Sequence, residues 1–128
     1  MHSNTLESHM LGETNLEIIL NESDGTTLMR LRGRLSIDSS PDFRDQLLAV
    51  LIGQLSKTVV VDMAEVSYID ASGIATLLEG LKIARPRQNT MFLRGLQGRV
   101  LHLFEVTGLL DLFESDGHRS ASTTPKVT

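Results

Sequence analysis

Directly behind the turn Asp70-Ala71-Ser72-Gly73, four apolar residues fall at i, i+3, i+4 and i+7: Ile74, Leu77, Leu78 and Leu81. That spacing puts them on one face of a helix, and the face needs a partner surface to bury it. Upstream, Val59-Val60-Val61 is an unbroken β-branched run, the pattern of a strand covered on both faces. A strand, a turn and an amphipathic helix in that order call for an α/β arrangement with helices laid on a sheet. The helix should end near Arg85-Pro86, because proline disfavours a helical residue before it.

The rest of the chain repeats the alternation. Leu16 to Leu20 is an apolar run, Asp24-Gly25 supplies turn chemistry, and Thr27 to Arg32 alternates Met29 and Leu31 with Leu28, Arg30 and Arg32. This reads as a hairpin ending at Gly33. Ser39-Ser40-Pro41 opens a helix: a serine can accept from first-turn amides, and proline suits the first helical position. Phe43, Leu47, Val50 and Leu51 share its face until about Gly53. Tyr68-Ile69 and Thr90 to Arg94 read as further strand segments. Gln97 to Val106 reads as a helix with Val100, Leu101 and Phe104 inward, and Leu109 to Phe113 as a last short strand or turn. The order is β-β-α-β-α-β-α, with the opening hairpin making the sheet mixed.

A length of 128 residues suits one domain. No cysteine is present, so neither disulfides nor thiolate metal sites hold the fold. Tryptophan is absent, which leaves Phe43, Phe92, Phe104 and Phe113 as the large core pieces. A net charge of −4 offers no basic footprint for nucleic acid. No apolar run reaches the ~20 residues that span a bilayer, so no membrane insertion and a cytoplasmic setting are expected. Residues 1–14 are polar and aperiodic, and Ser8-His9-Met10 looks like an expression-tag remnant; a flexible segment is expected there. Residues 115–128, rich in Ser and Thr, are expected to be a disordered tail, leaving residues 15–114 as the domain.

The turn at residues 70–73 holds the chemistry. A helix N-terminus presents unpaired amides and the positive end of the dipole. Ser72 or Asp70 could simply cap it. A phosphorylated hydroxyl there would be stabilised by the same amides. Gly73 lets another backbone approach.

Val59-Val60-Val61-Asp62 and Val66-Ser67-Tyr68-Ile69-Asp70-Ala71-Ser72-Gly73-Ile74-Ala75-Thr76-Leu77-Leu78 resemble the signature of the STAS family, the domains of anti-sigma factor antagonists and of sulfate transporter tails. Gly33-Arg34-Leu35 and Val106-Thr107-Gly108-Leu109 to Phe113 resemble two further motifs, so the likeness spans Leu16 to Glu114. The resemblance implies a mixed β-sheet with helices packed mainly on one side. It implies a protein-binding regulator whose phosphoacceptor is the serine just after the aspartate of an Asp-Ser-Ser-Gly turn. A partner that is both serine kinase and anti-sigma factor phosphorylates it. The unphosphorylated form binds that partner and frees the sigma factor, and phosphate ends binding.

Two positions depart from the pattern. Ala71 stands at the usual acceptor, leaving Ser72 as the phosphorylation candidate, turned about 100° around the helix. Ser36 replaces the common acidic residue after Gly-x-Leu, with Asp38 two residues on. Binding without phosphorylation at this turn is therefore the expectation. The partner-binding set that the resemblance implies is Ser36, Asp38, Asp70, Ala71, Ser72, Gly73, Thr76 and Glu79, and pairing with a second copy is left open. No cofactor is expected. A related alternative is a STAS subunit docked on the ATPase of a lipid-transport ABC complex.

An enzyme is the rival class. A serine hydrolase would need Ser72, His102 and an acid in contact. His102 lies between leucines on a helix, and neither a Gly-x-Ser-x-Gly elbow nor a glycine-rich phosphate loop occurs. Asp62, Glu65 and Asp70 are a loose acidic set without the first-strand acidic pair of a receiver-type pocket. Arg85-Pro86-Arg87 and Arg94 to Arg99 read as solvated basic islands.

Overall fold

The computed structural model describes residues 15–53 and 56–114; the expectations for residues 1–14 and 115–128 lie outside them. Strand β1 (Leu16–Ser23) pairs antiparallel with β2 (Thr26–Leu35), and β2, β3 (Thr58–Ile69) and β4 (Thr90–Arg94) run parallel in the order β1-β2-β3-β4. Asp24 and Gly25 close the hairpin with φ of 52° and 79°, the two positive values that a tight primed turn demands. Gly33 has φ 116°, and a Cβ there would lie 1.9 Å from the Asn15 carbonyl oxygen. Only glycine fits that strand end.

Helix α1 (Ser40–Gly53) and helix α2 (Ala71–Ala84) lie side by side, and α3 (Gly98–Val106) and α4 (Leu109–Glu114) complete the cover. Met29, Leu31, Val59, Val61, Met63, Met91 and Leu93 point into this helical layer, where Phe43, Leu47, Leu51, Leu77, Leu81 and Phe104 are buried. Each such side chain contributes roughly 2 kcal/mol by burial. Among the described residues no helix covers the opposite sheet face. Val60 and Phe92 are only half-buried there, which corrects the expectation that the valine run is covered on both faces and that Phe92 is core.

Strand β3 is continuous, where the sequence suggested two segments. Arg30 pairs with Asp62 but Arg32 with Glu65, and Gly33 pairs with Val66 but Arg34 with Tyr68. Each shift inserts one extra residue in β3, a bulge. Beyond Met63 the buried residues therefore come every third position, at Val66 and Ile69, and the alternation that marks a strand is lost. A second correction concerns Leu109 to Phe113, which is helix α4 and not a strand or turn. Phe113 packs on Phe104 of α3 with ring centroids 6.0 Å apart, and it is the buried residue of α4, with Leu109 and Leu110 half-buried.

Candidate functional site

The turn after β3 is held by one carboxylate. Asp70 is the N-cap of α2 in extended conformation, and its Oδ1 accepts from the Ser72 amide at 3.0 Å, the Gly73 amide at 3.2 Å and the Ser72 hydroxyl at 2.6 Å. Its Oδ2 accepts from the Ile37 amide at 3.0 Å, and the Asp70 amide donates to the Leu35 carbonyl. The cap thus belongs to Asp70, which satisfies the Ser72 and Gly73 amides, and the β2–α1 loop is tied to the start of α2. These bonds, the Ser72 hydroxyl foremost and then the backbone amides, hold the Asp70 carboxyl below the ordinary carboxylate range against a smaller opposing desolvation.

Gly73 is buried at the same place. A Cβ on it would meet Ile69 Cγ1 and Leu35 Cγ at 2.8 Å and the Leu35 carbonyl oxygen at 2.9 Å. A Cβ on Gly80, two turns further along the same face of α2, would meet Leu47 Cδ2 of α1 at 2.7 Å. The buried face of α2 is therefore Gly73, Thr76, Leu77, Gly80, Leu81 and Ala84, rotated from the stripe that apolarity alone marks, with Ile74 and Leu78 half-buried.

Ser72 points inward. Its single proton is on Asp70, so the Ser40 hydroxyl, 3.1 Å away, must donate to it. Ala71 is the exposed residue of the turn, and Ile37, whose amide is held by the neighbouring Asp70 carboxylate, is 70% exposed. Asp38 is exposed in the same loop, and its amide donates to the half-buried Ser36 hydroxyl. Ser39 Oγ accepts from the Ser36 amide and donates to the Arg34 carbonyl, tying α1 back to β2 where a first-turn cap was expected. Thr76 was expected on the exposed face but is 6% exposed and donates to the Ser72 carbonyl. Glu79 accepts a two-pronged pair from Arg44 at 2.7 Å for each bond, linking α2 to α1 across the surface. The hydrogen bond to each partner lowers the Glu79 pKa and raises that of Arg44. Sequence reasoning missed Ile37, Ser40 and Arg44. Ile37, an isoleucine among polar loop residues, was the one visible signal.

The site is a shallow groove of about 310 Å³ between α1 and α2, walled by Ile37, Pro41, Ala75 and the Arg44 side chain. Ser72 has Asp70 and Ser40 as partners, while His102 is exposed on α3, so they do not form a nucleophile–base pair. Asp62 pairs with Arg94 and Glu65 with Arg32, and among the described residues no group of three His, Cys, Asp or Glu could hold a metal ion. No helix of the described residues is long and apolar enough to cross a membrane.

Comparison with known proteins agrees with this architecture. The family model described as "Mlab, STAS domain" matches residues 18–114. The anti-sigma-B factor antagonist of Listeria monocytogenes is 31% identical over 103 residues, covering 78% of this chain and 88% of that protein. The protein of the same name from Bacillus subtilis is 22% identical over 100 residues, with 78% and 90% covered. The crystal structure of an anti-sigma factor antagonist from Mycobacterium paratuberculosis superposes with a TM-score of 0.71 at 15% identity, covering 80% of this chain and 85% of that one. The fold is that of a mixed-sheet regulatory domain. The chain belongs to the STAS domain family.

Proposed function

We propose that this chain is a regulatory protein-binding module of the anti-sigma factor antagonist kind, working in the cytoplasm. It docks on an anti-sigma factor or serine kinase through Ile37, Asp38, the Asp70–Gly73 turn and the outer face of α2 with Glu79. The observation that carries this is an exposed Ala71 and an exposed Ile37 joined through Asp70, whose carboxylate takes the Ile37 amide and the Ser72 hydroxyl at the turn. An apolar pair on a rigid frame loses little entropy when a partner covers it. Relatives named as anti-sigma-B factor antagonists support the partner class.

Ser72 suits a phosphoacceptor poorly in this geometry. A kinase would have to break its bonds to Asp70 and Ser40 before reaching the oxygen. The module then binds without a phosphoswitch at this turn. That same Ala71 favours a second reading, a STAS subunit seated on the ATPase of a lipid-transport complex, where docking needs no phosphate.

Ala71→Asp adds charge at the proposed contact without touching the Asp70 cap, whereas Ser72→Asp would break the cap as well. Affinity capture from the native cell with mass spectrometry should return a kinase-fold anti-sigma factor. Ala71→Asp and Ile37→Asp should each weaken it by roughly 2 kcal/mol, the loss expected at a central interface residue. Undiminished capture by both variants would sink the assignment, and return of an ABC ATPase instead would select the second reading.

A further inference from the structure

A second concavity lies between the end of β3 and α3, away from the helical groove just described. It has a volume of about 550 Å³, and Tyr68, Leu103 and Val106 form its apolar walls. Arg34, Arg99 and His102 also line it, and no carboxylate does among the described residues. That is unusual in a chain of net charge −4.

Three other arginines of this surface are held by carboxylates. Arg32 pairs with Glu17 and Glu65, Arg44 with Glu79 and Arg94 with Asp62. Arg34 instead lies over the Tyr68 ring, 4.0 Å from its centroid, which orients the guanidinium without neutralising it. Arg99 has no ion pair among the described residues. Val106 is 64% exposed, a large apolar side chain at the rim.

We propose that this groove binds a small amphipathic anion, a carboxylate or phosphate monoester carrying one ring or a short alkyl chain. The volume is within the roughly 300–1,000 Å³ of small-ligand sites, which pair apolar walls with a few placed polar groups. A guanidinium takes an anionic head in two-pronged fashion, and two guanidiniums around one opening set the charge, with the His102 ring as a further polar group on the wall. Tyr68, Leu103 and Val106 receive the apolar body, each buried methylene strengthening binding roughly fourfold.

The test is a titration of the full chain with octanoate, phenyl phosphate and the neutral octan-1-ol, followed by amide chemical shifts. One or both anions should give saturable shifts at residues 67–69 and 99–106 in the millimolar range, and the stronger of the two names the head group. Arg99→Gln should weaken that anion roughly fivefold, the loss of one charge-assisted bond at a wet site. Val106→Glu should abolish binding with the unfolding midpoint unchanged. Octan-1-ol binding as tightly as octanoate would overturn the proposal. So would the absence of saturable shifts up to about 10 mM of either anion, or capture of an acidic peptide without any response to them.

Discussion

Helices α2 and α3 both leave the same end of the sheet, after the parallel strands β3 and β4, and they begin in opposite ways. The start of α2 is over-determined: Asp70 caps it, reaches the Ile37 amide, and Gly73 lets the helix seat on Leu35. The start of α3 has no side-chain cap; Gln97 reaches across to the Ala64 carbonyl instead, and Gly98 has open space where a Cβ would be. The difference separates two kinds of surface. The first is a rigid platform carrying one exposed alanine, the surface proposed to meet a partner. The second borders an open groove whose side chains keep unspent hydrogen-bonding capacity.

The sharpest way to break this comparison is glycine replacement. Gly73→Ala pushes a Cβ against the Leu35 carbonyl, which cannot swing aside, and should cost about 3 kcal/mol in urea unfolding. Gly98→Ala meets no atom and carries only the left-handed backbone penalty at φ 60°, about 1 kcal/mol. Equal costs would show that the start of α2 is no tighter than that of α3.

Next in size is the cap. Asp70→Ala should destabilise by about 2 kcal/mol, against under about 0.5 kcal/mol for Gln97→Ala. The cap also predicts a pH dependence. Hydrogen bonds hold the folded Asp70 carboxyl below its unfolded value, so the folded state favours the anion. Its contribution is fully present above about pH 4, the ordinary carboxylate value, and is lost as pH falls through the lower folded value. Denaturant midpoints of Asp70→Asn measured against pH should therefore converge on wild type below that range. A constant gap would assign the effect to packing.

The smallest expected effect is at the Arg44–Glu79 pair. Both side chains are more than a third exposed, so Arg44→Ala should leave the urea-unfolding midpoint essentially unchanged while altering partner capture. A large stability loss would make the pair part of the frame and not of the recognition surface.

Much of this was readable before any coordinates. The hairpin followed from Asp24-Gly25 between alternating runs, α2 from its four apolar positions, and its end from Pro86. The turn at 70–73 stood out for its aspartate, serine and glycine, and the resemblance to the STAS family rested on that stretch. Helix α4 was less legible, because six residues with Leu109, Leu110 and Phe113 also suit a strand. The second half of β3 was obscured by its bulges, which replace a period of two with one of three.

The information legible along the chain is local: which residues cap, turn or break an element, and that Ala71 carries no hydroxyl. These depend on side-chain chemistry within a few positions of the chain. Only the tertiary structure decided which way the polar groups of the turn face. Ser72 turns inward because Ser40, thirty-two residues earlier, arrives from α1 to share its oxygen. Asp70 becomes a cap and a tether at once because the β2–α1 loop brings the Ile37 amide to its second oxygen. The gathering of Arg34, Arg99 and His102 is likewise a matter of strands and helices meeting, since nothing in their spacing along the chain brings them together.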